Sequence, residues 1–299
     1  MSVDVVIIGG SYAGMAAGLQ LARARRQVLV VDAGKPRNRF ASHSYGFLTQ
    51  DGTPPSDIAA EARSQLMEYP TVEWRGGRAE AVTGQADNFL VALADGSTYQ
   101  ARRIILAAGV TDKVPDLVGL NGLWGKHIFH CPYCHGYELG KTGIGVLATS
   151  ELAMHHGLML PDWGATTLFL NDAFEPDSEQ LAQLKARGTH IERGAVASVT
   201  EQANTTGIEL VMKDDRIFQL AGLFVAPTIH LGPLVTQLAC ELEESPMGRI
   251  VKTDAMQATS VPGIFACGDI ARAAGSVTFA VADGAMAGLA THRTLMLGL

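Results

Sequence analysis

Three observations predict that the chain folds as an α/β protein with two domains. Its 299 residues exceed the usual size of one small domain, and a composition of 47% hydrophobic and 18% charged residues suits large buried cores. A strand–glycine turn–helix–strand pattern opens the chain near Val3, and a weaker copy of it surrounds Val146. Many glycines follow predicted strands or occupy turns, as an α/β fold requires.

The first unit of this kind begins with Val3 to Ile8, a continuous apolar run typical of a strand buried on both faces. The turn Gly9 to Gly14 follows, and Met15 to Arg25 has the apolar spacing of a helix. Val28 to Val31 is a second buried strand that ends at Asp32. This order predicts a complete dinucleotide-binding unit.

In the second copy, Val146 to Ser150 corresponds to Ile7 to Ser11, and Phe169 to Asn171 corresponds to Val30 to Asp32. The spacing is too wide for a solenoid and indicates two domains built on one plan. We therefore predict two dinucleotide-binding-type domains, each Rossmann-like with a three-layer ββα architecture.

Further elements complete each predicted domain. Paired strands follow each copy, at Phe89 to Leu93 with Thr98 to Leu106, and at Gly207 to Met212 with Ile217 to Val225. Thr278 to Leu297 has helical spacing. Segments rich in Pro and Gly, Pro115 to Gly119 and Pro227 to Pro233, are the expected domain crossings. The predicted layout is a discontinuous first domain, residues 1–116 and 229–299, around a central domain, residues 117–228.

Charge and composition argue against several classes of protein. The net charge is −7, and the short basic run Arg23 to Arg26 is interpreted as a solvated helix end, not a nucleic-acid patch. No apolar stretch is long enough for a membrane span, and the apolar start lacks the basic flank of a signal peptide. The four cysteines are too sparse for a secreted disulfide framework. We expect a cytoplasmic protein that binds neither nucleic acid nor membrane.

The first glycine turn is a candidate nucleotide site. Gly9 permits a tight turn, Gly14 permits close packing of helix on strand, and the free N–H groups of the helix face a pyrophosphate. The middle glycine of the fingerprint is replaced by Ser11. Taken alone, the motif is therefore equally consistent with a nucleotide-binding turn and with a glycine turn that binds no ligand. The candidate binding residues are Gly9, Gly10, Ser11, Ala13 and Gly14, with Asp32 for the ribose hydroxyls.

Two other segments favour a bound dinucleotide. Gly263 to Ile270 is predicted as a strand that ends in Gly268 and Asp269, soon followed by a helix. It resembles the second FAD fingerprint of flavoproteins with two dinucleotide-binding domains. In these flavoproteins the Asp binds the ribitol chain, and the next helix points its positive end at the flavin ring. In this chain that helix is expected to begin near Ser276 and Val277. Ile104 to Gly109, with Ala108 and Gly109 at its turn, resembles a third element of these proteins. FAD is the expected cofactor, bound non-covalently.

The sharpest motif is the C-x-x-C pair Cys131 and Cys134. This spacing lets two sulfurs close a small disulfide and activates one thiol. A structural zinc needs two more soft ligands at a similar spacing, but Cys240 and Cys267 are isolated. The flanking histidines are too crowded to complete one metal site. We interpret the pair as redox-active and expect no metal.

His135 follows the second cysteine directly and has two interpretations. As a base it takes a proton from an incoming or released thiol, because imidazole titrates near neutral pH. Alternatively, it is a helix-end histidine that bonds to backbone. Its position beside Cys134 favours the base.

Together these motifs resemble the low-molecular-weight thioredoxin reductase superfamily of FAD-dependent oxidoreductases, over nearly the whole chain. The resemblance implies that Cys134 abuts the flavin, that Cys131 exchanges with substrate, and that the chain forms a homodimer. Thioredoxin reductase itself has an acid where this chain has His135.

The segment Cys131 to Glu138 is more similar to the dithiol oxidases of gliotoxin, holomycin and romidepsin biosynthesis. Those enzymes use FAD and oxygen, and their histidine is assigned as a base. Pro36 to Phe40 and Gly46 to Gly52 also resemble that branch.

The second glycine turn is degenerate. Ala148 and Thr149 stand where the first copy has glycines, and Glu151 brings negative charge to the helix start. Asn171 and Asp172 occupy the position where NADPH-dependent relatives carry arginines. A divergent loop that still binds NAD(P)H is the less favoured interpretation.

The sequence thus favours a dithiol oxidase acting on a small dithiol. Two alternatives stay open. One is a disulfide reductase, fed by NAD(P)H or by ferredoxin and acting on a thioredoxin-like protein, and the other is a flavin redox sensor that is not an enzyme.

Overall fold

The computed structural model describes residues 2–140, 143–202 and 207–298. The chain divides into two compact units. The first unit comprises residues 1–39, 47–111 and 229–299, and the central unit comprises residues 40–46 and 112–228. Unlike the predicted layout, residues 40–46 group with the central unit.

The helices and strands are numbered along the chain. The α-helices are α1 Tyr12–Arg23, α2 Pro55–Met67, α3 Leu120–Leu123, α4 Pro132–His135, α5 Ala153–Met159, α6 Ser178–Arg187, α7 Pro233–Gln237 and α8 Val277–Leu297. The strands are β1 Ser2–Ile8, β2 Val28–Asp32, β3 Val72–Gly76, β4 Ala79–Gln85, β5 Asn88–Leu93, β6 Thr98–Leu106, β7 Thr111–Lys113, β8 Ile128–Phe129, β9 Ile144–Leu147, β10 Thr166–Phe169, β11 His190–Glu192, β12 Val196–Glu201, β13 Ile208–Met212, β14 Ile217–Leu220, β15 Gly222–Val225, β16 Thr228–His230, β17 Leu242–Ser245, β18 Gly248–Val251 and β19 Ile264–Ala266.

The first unit is built on a sheet in the order β3-β2-β1-β6-β5-β4, with β19 also paired to β6. Strands β3, β2, β1, β6 and β19 are parallel, and β4 and β5 continue the sheet as an antiparallel hairpin. The apolar runs of β1 and β2 are buried because strands in the middle of a parallel sheet are covered on both faces.

The central unit repeats this plan. Its parallel sheet has the order β11-β10-β9-β15-β8, and β12, β13 and β14 form a separate antiparallel sheet. The predicted class, α/β with two dinucleotide-binding-type domains, is confirmed.

Two predicted elements differ from the structure. Helix α1 begins at Tyr12, not at Met15, because the last part of the glycine motif already has helical backbone. The predicted strand Ile217 to Val225 is broken at Ala221 into β14 and β15, which belong to different sheets. In the first unit the corresponding strand, β6, stays continuous; it pairs with β5 over residues 98–101 and with β19 over residues 104–106.

Helix α8 packs against α1 through glycines. A Cβ atom at Gly284 would lie 2.1 Å from the carbonyl oxygen of Ala13, and one at Gly288 would lie 2.6 Å from that of Ala17. The two helices therefore approach closely beside the start of α1. Within residues 2–140, 143–202 and 207–298, no helix has the length and apolar character to cross a membrane.

Candidate functional site

The first glycine turn has a backbone that only small residues allow. Gly9 has φ +111°, and a Cβ atom there would lie 2.2 Å from Ala107 O and 2.9 Å from Ala108 N. A Cβ atom at Gly14 would lie 1.8 Å from Gly9 O. The turn therefore packs directly on the end of β6, beside Ala108 and Gly109, which the sequence also assigned to the site.

The start of α1 is open to an anion. Ser11 is the N-cap in extended conformation, with no side-chain cap and no acidic residue in the first turn. The Gly10 N–H donates to Asp32 Oδ1 at 3.2 Å, so the carboxylate at the end of β2 holds the turn. Trp74, which sequence reasoning missed, lies against Gly10, where a Cβ atom would be 2.5 Å from its ring.

The C-terminal segments of the first unit meet the same helix. Gly268 has φ +76°, and a Cβ atom there would lie 2.9 Å from the Cβ of Ala13. Asp269 follows in a 3-10 turn, and Ser276 caps α8 by accepting the Phe279 N–H at 3.1 Å, which places Val277 first in that helix. Residues from both ends of the chain thus gather around the start of α1.

This arrangement fits a dinucleotide. A glycine turn lets the backbone approach a pyrophosphate, the helix start supplies N–H donors, and the carboxylates of Asp32 and Asp269 would offer acceptors to the hydroxyls of such a ligand. Gly9, Gly10, Ser11 and Gly14 would form the cradle.

The central unit holds the redox pair. Cys131 and Cys134 form a disulfide with a Cα–Cα distance of 5.3 Å. Cys131 is the N-cap of α4, and Pro132 occupies the first helical position, where its missing N–H costs nothing. Both cysteines are half-buried. Among the described residues, no group of three or more His, Cys, Asp or Glu side chains could hold a metal ion.

Trp163 supports the redox turn and was not found from the sequence. Its ring lies edge-on to Tyr133, with 5.3 Å between centroids. A Cβ atom at Gly136 would lie 2.8 Å from the Trp163 ring and 2.7 Å from Pro132 O. The indole therefore packs where only glycine leaves room.

His135 lies on the ring of Phe129, with 4.4 Å between centroids. Burial lowers its pKa to about 4, so the imidazole is neutral at pH 7. The ring lines a cavity of about 540 Å³ in the central unit, together with His43, Tyr45 and Glu138. Within the described residues, no hydrogen bond joins the ring to a sulfur of the disulfide.

His156 is a buried histidine to which the sequence assigned no role. Its Nε2–H donates to the carbonyl oxygen of His130 at 2.9 Å, directly before Cys131. Nδ1 is buried with no partner in the described structure, and burial lowers the pKa of His156 to about 4. The neutral ring thus anchors the backbone that leads into the redox turn.

The second glycine turn differs from the first in sequence and in where its helix begins. By the offset that relates Ile7 to Val146, Glu151 corresponds to Tyr12, yet α5 begins only at Ala153. Asn171, with φ +51°, donates to Ala148 O at 3.3 Å and accepts from Val196 N at 2.9 Å. The Asn171 side chain thus ties the end of β10 to the turn, as Asp32 does at the end of β2 in the first unit.

A dinucleotide cradle for a flavin in one unit and a C-x-x-C disulfide in the other define a flavin-dependent oxidoreductase acting on sulfur groups. The chain belongs to the pyridine nucleotide-disulphide oxidoreductase family, whose model matches residues 3–284.

Individual relatives cover almost the whole chain. Thioredoxin reductase sirT of Leptosphaeria maculans is 32% identical over 302 residues, 95% of this chain and 92% of that protein. The solved oxidoreductase from Agrobacterium tumefaciens is 51% identical, with a TM-score of 0.96 and complete coverage of both chains. The structure of HlmI is 34% identical, with a TM-score of 0.91, and covers 99% of this chain and 93% of that one. The resemblance predicted from the sequence is confirmed.

Proposed function

We propose that this protein is a dithiol oxidase that binds FAD and forms a disulfide in a small dithiol. A substrate thiolate attacks Cys131 Sγ, the Cys131–Cys134 bond breaks, and Cys134 leaves as thiolate. The second substrate thiolate then attacks the mixed disulfide, which releases the oxidised substrate and the Cys131 thiolate. When bound, FAD would supply the acceptor for the two electrons of the reduced pair, with oxygen as the final acceptor and hydrogen peroxide as the product.

The observation that carries this proposal is the degenerate second nucleotide turn, which lacks both the glycines and the helix start of the first. NADPH binding needs glycines at the turn and a helix start for the pyrophosphate. Here Ala148 and Thr149 replace those glycines, and α5 starts two residues late. An enzyme without that site draws its electrons from another donor, and a dithiol substrate is the simplest one.

His135 supports thiol chemistry. Because burial lowers its pKa to about 4, it is unprotonated at pH 7 and offers an acceptor nitrogen to the S–H of a substrate thiol, although the same shift makes it a weaker base than an exposed imidazole. Deprotonation matters because the thiolate, not the thiol, is the nucleophile.

The cavity beside His135 supports a small substrate. Its volume of about 540 Å³ lies within the range of small-molecule sites, roughly 300–1,000 Å³. Reduction of a thioredoxin-like protein, with electrons from ferredoxin, is the second candidate function. It is favoured by the similarity to proteins named thioredoxin reductase.

One anaerobic experiment separates these functions. NADPH and a small dithiol are added in excess to separate samples of the FAD-loaded protein, flavin bleaching is followed, and peroxide is measured after air is admitted. Bleaching by dithiol with rapid peroxide formation supports the oxidase, and rapid bleaching by NADPH overturns it. Cys131→Ser should stop bleaching by dithiol, whereas the matched change Cys240→Ser, at a buried free cysteine, should not.

We also propose a homodimer that uses the outer face of α8. Phe279, Met286, Leu289 and Met296 are 47%, 37%, 52% and 61% exposed, and they recur at the three-and-seven-residue spacing of paired helices. Leu289→Glu is expected to give a monomer in light scattering. Ile217→Glu, a comparable apolar-to-acidic change at an exposed position of the central unit, should leave the mass unchanged. A dimeric Leu289→Glu protein would rule out this face.

A further inference from the structure

The segment after β2, residues 36–39, is a structured turn held against α1. Arg39 N donates to Pro36 O at 3.3 Å, and Arg39 Nη1 donates to the same oxygen at 2.9 Å. Asn38 Nδ2 donates to the hydroxyl of Tyr12 at 3.2 Å, and that hydroxyl donates to Pro55 O at 3.1 Å. Because Tyr12 is the first residue of α1, the turn is anchored at the start of that helix.

Arg37 extends from this turn to the other end of the chain. Its Nη1 donates to Asp269 Oδ2 at 2.9 Å, across a sequence separation of 232 residues. The two side chains are only 17% and 21% exposed, so the ion pair is largely shielded from solvent. Pairs of this kind bond more strongly than pairs on an open surface.

The other oxygen of Asp269 is confined by the backbone. A Cβ atom at Gly275 would lie 2.2 Å from Asp269 Oδ1, so Gly275 packs closely on the carboxylate. Arg37 on one oxygen and Gly275 beside the other restrict the orientation of the carboxylate. Each carboxylate oxygen has two acceptor positions, so both retain capacity for a ligand hydroxyl.

We propose that Arg37 is a positioning residue for the flavin cofactor: Arg37 orients the Asp269 carboxylate toward the hydroxyls of the ribitol chain. This inference rests on the proposed binding of FAD. It also gives a role to the segment Pro36 to Phe40, whose resemblance to the dithiol oxidases carried no function. The neighbouring cation Lys35 is exposed and offers a matched control.

The test is the dissociation constant of FAD, measured by titrating the flavin-free full-length protein and following flavin fluorescence. Arg37→Met is expected to weaken FAD binding about tenfold to a hundredfold, the usual effect of losing a charge-assisted hydrogen bond. Arg37→Lys should recover part of this loss, and Lys35→Met should bind as the unaltered protein does. If Arg37 acts through Asp269, adding Arg37→Met to Asp269→Asn should cause little further loss.

Competition by ADP distinguishes this role from direct binding of the phosphates. ADP should displace FAD with the same inhibition constant from the unaltered and the Arg37→Met proteins, since ADP carries no ribitol. An unchanged FAD constant in Arg37→Met, additive losses in the double variant, or weakened ADP binding would each overturn the proposal. Failure of the unaltered protein to bind FAD would instead refute the proposed function. If Arg37→Met does not fold by circular dichroism, the same comparisons are made with Arg37→Lys.

Discussion

Replacing His156 with Gln should make the protein less sensitive to acid. The ring is 7% exposed, and its Nε2–H donates to His130 O, whereas Nδ1 is buried without a partner in the described structure. Protonation would place a charge where nothing solvates it, so burial lowers the pKa from 6.5 to about 4. A Gln side chain can donate to the same carbonyl but does not titrate between these values.

The size of the effect follows from that shift. In the unfolded chain His156 takes up a proton as the pH falls below 6.5, while in the folded protein it stays neutral until about pH 4. The stability it contributes is complete above pH 6.5 and is lost as the pH falls through this window. One pKa unit corresponds to about 1.4 kcal/mol, so the total loss is about 3 kcal/mol.

The assay is urea unfolding of the FAD-loaded protein at a series of pH values, with tryptophan fluorescence as the probe. Two of the three tryptophans, Trp124 and Trp163, lie in the central unit with His156. Between pH 6.5 and about pH 4, the free energy of unfolding should fall by about 3 kcal/mol less in His156→Gln than in the unaltered protein. His135 shifts in the same direction, so the variant should retain some acid sensitivity.

Equal slopes of unfolding free energy against pH in the two proteins would refute the reasoning. They would mean that His156 is protonated in the folded state or that it reaches solvent. A variant that is less stable by the same amount at every pH would show only a lost contact, not a buried neutral imidazole.

Three other predictions concern the two candidate sites. Because burial lowers the pKa of His135 to about 4, the rate of flavin reduction by dithiol should fall on acidification only near pH 4. A fall in rate near pH 6.5 that disappears in His135→Gln would contradict this pKa. Gly14→Ala puts a Cβ atom 1.8 Å from Gly9 O and should yield a colourless protein on purification, whereas bound flavin at full occupancy would argue against the cradle. Gly136→Ala pushes against Trp163 and should slow dithiol oxidation more than about tenfold with FAD affinity unchanged; an unchanged rate in stopped-flow would show that the redox turn tolerates displacement.

Local patterns were sufficient for the elements that define the fold. The buried runs of β1 and β2 are continuous and apolar, and the structure places strands at Ser2–Ile8 and Val28–Asp32. Strand β6 has the predicted bounds, Thr98–Leu106, and α8 begins one residue before the predicted helix. These features depend on alternation, burial and turn residues within a short window, which the sequence displays directly.

The C-x-x-C motif and the degenerate second glycine turn were also recognisable from the sequence, because their chemistry depends on residue types at fixed spacing. Spacing alone did not give the start of α1 or the break at Ala221. Both depend on backbone pairing with other strands and on the dihedral angles of a turn, neither of which changes the apolar pattern.

By itself, then, the sequence determined the fold class, the glycine turn of the first unit and the redox pair. Only the tertiary structure decided which side chains support them. Arg37 reaches Asp269 across 232 residues, His156 bonds to His130 O across 26, and Trp163 packs on Gly136. Such contacts join segments that are distant in the chain, so no periodicity or motif predicts them. They form only when the sheets and helices bring those segments together.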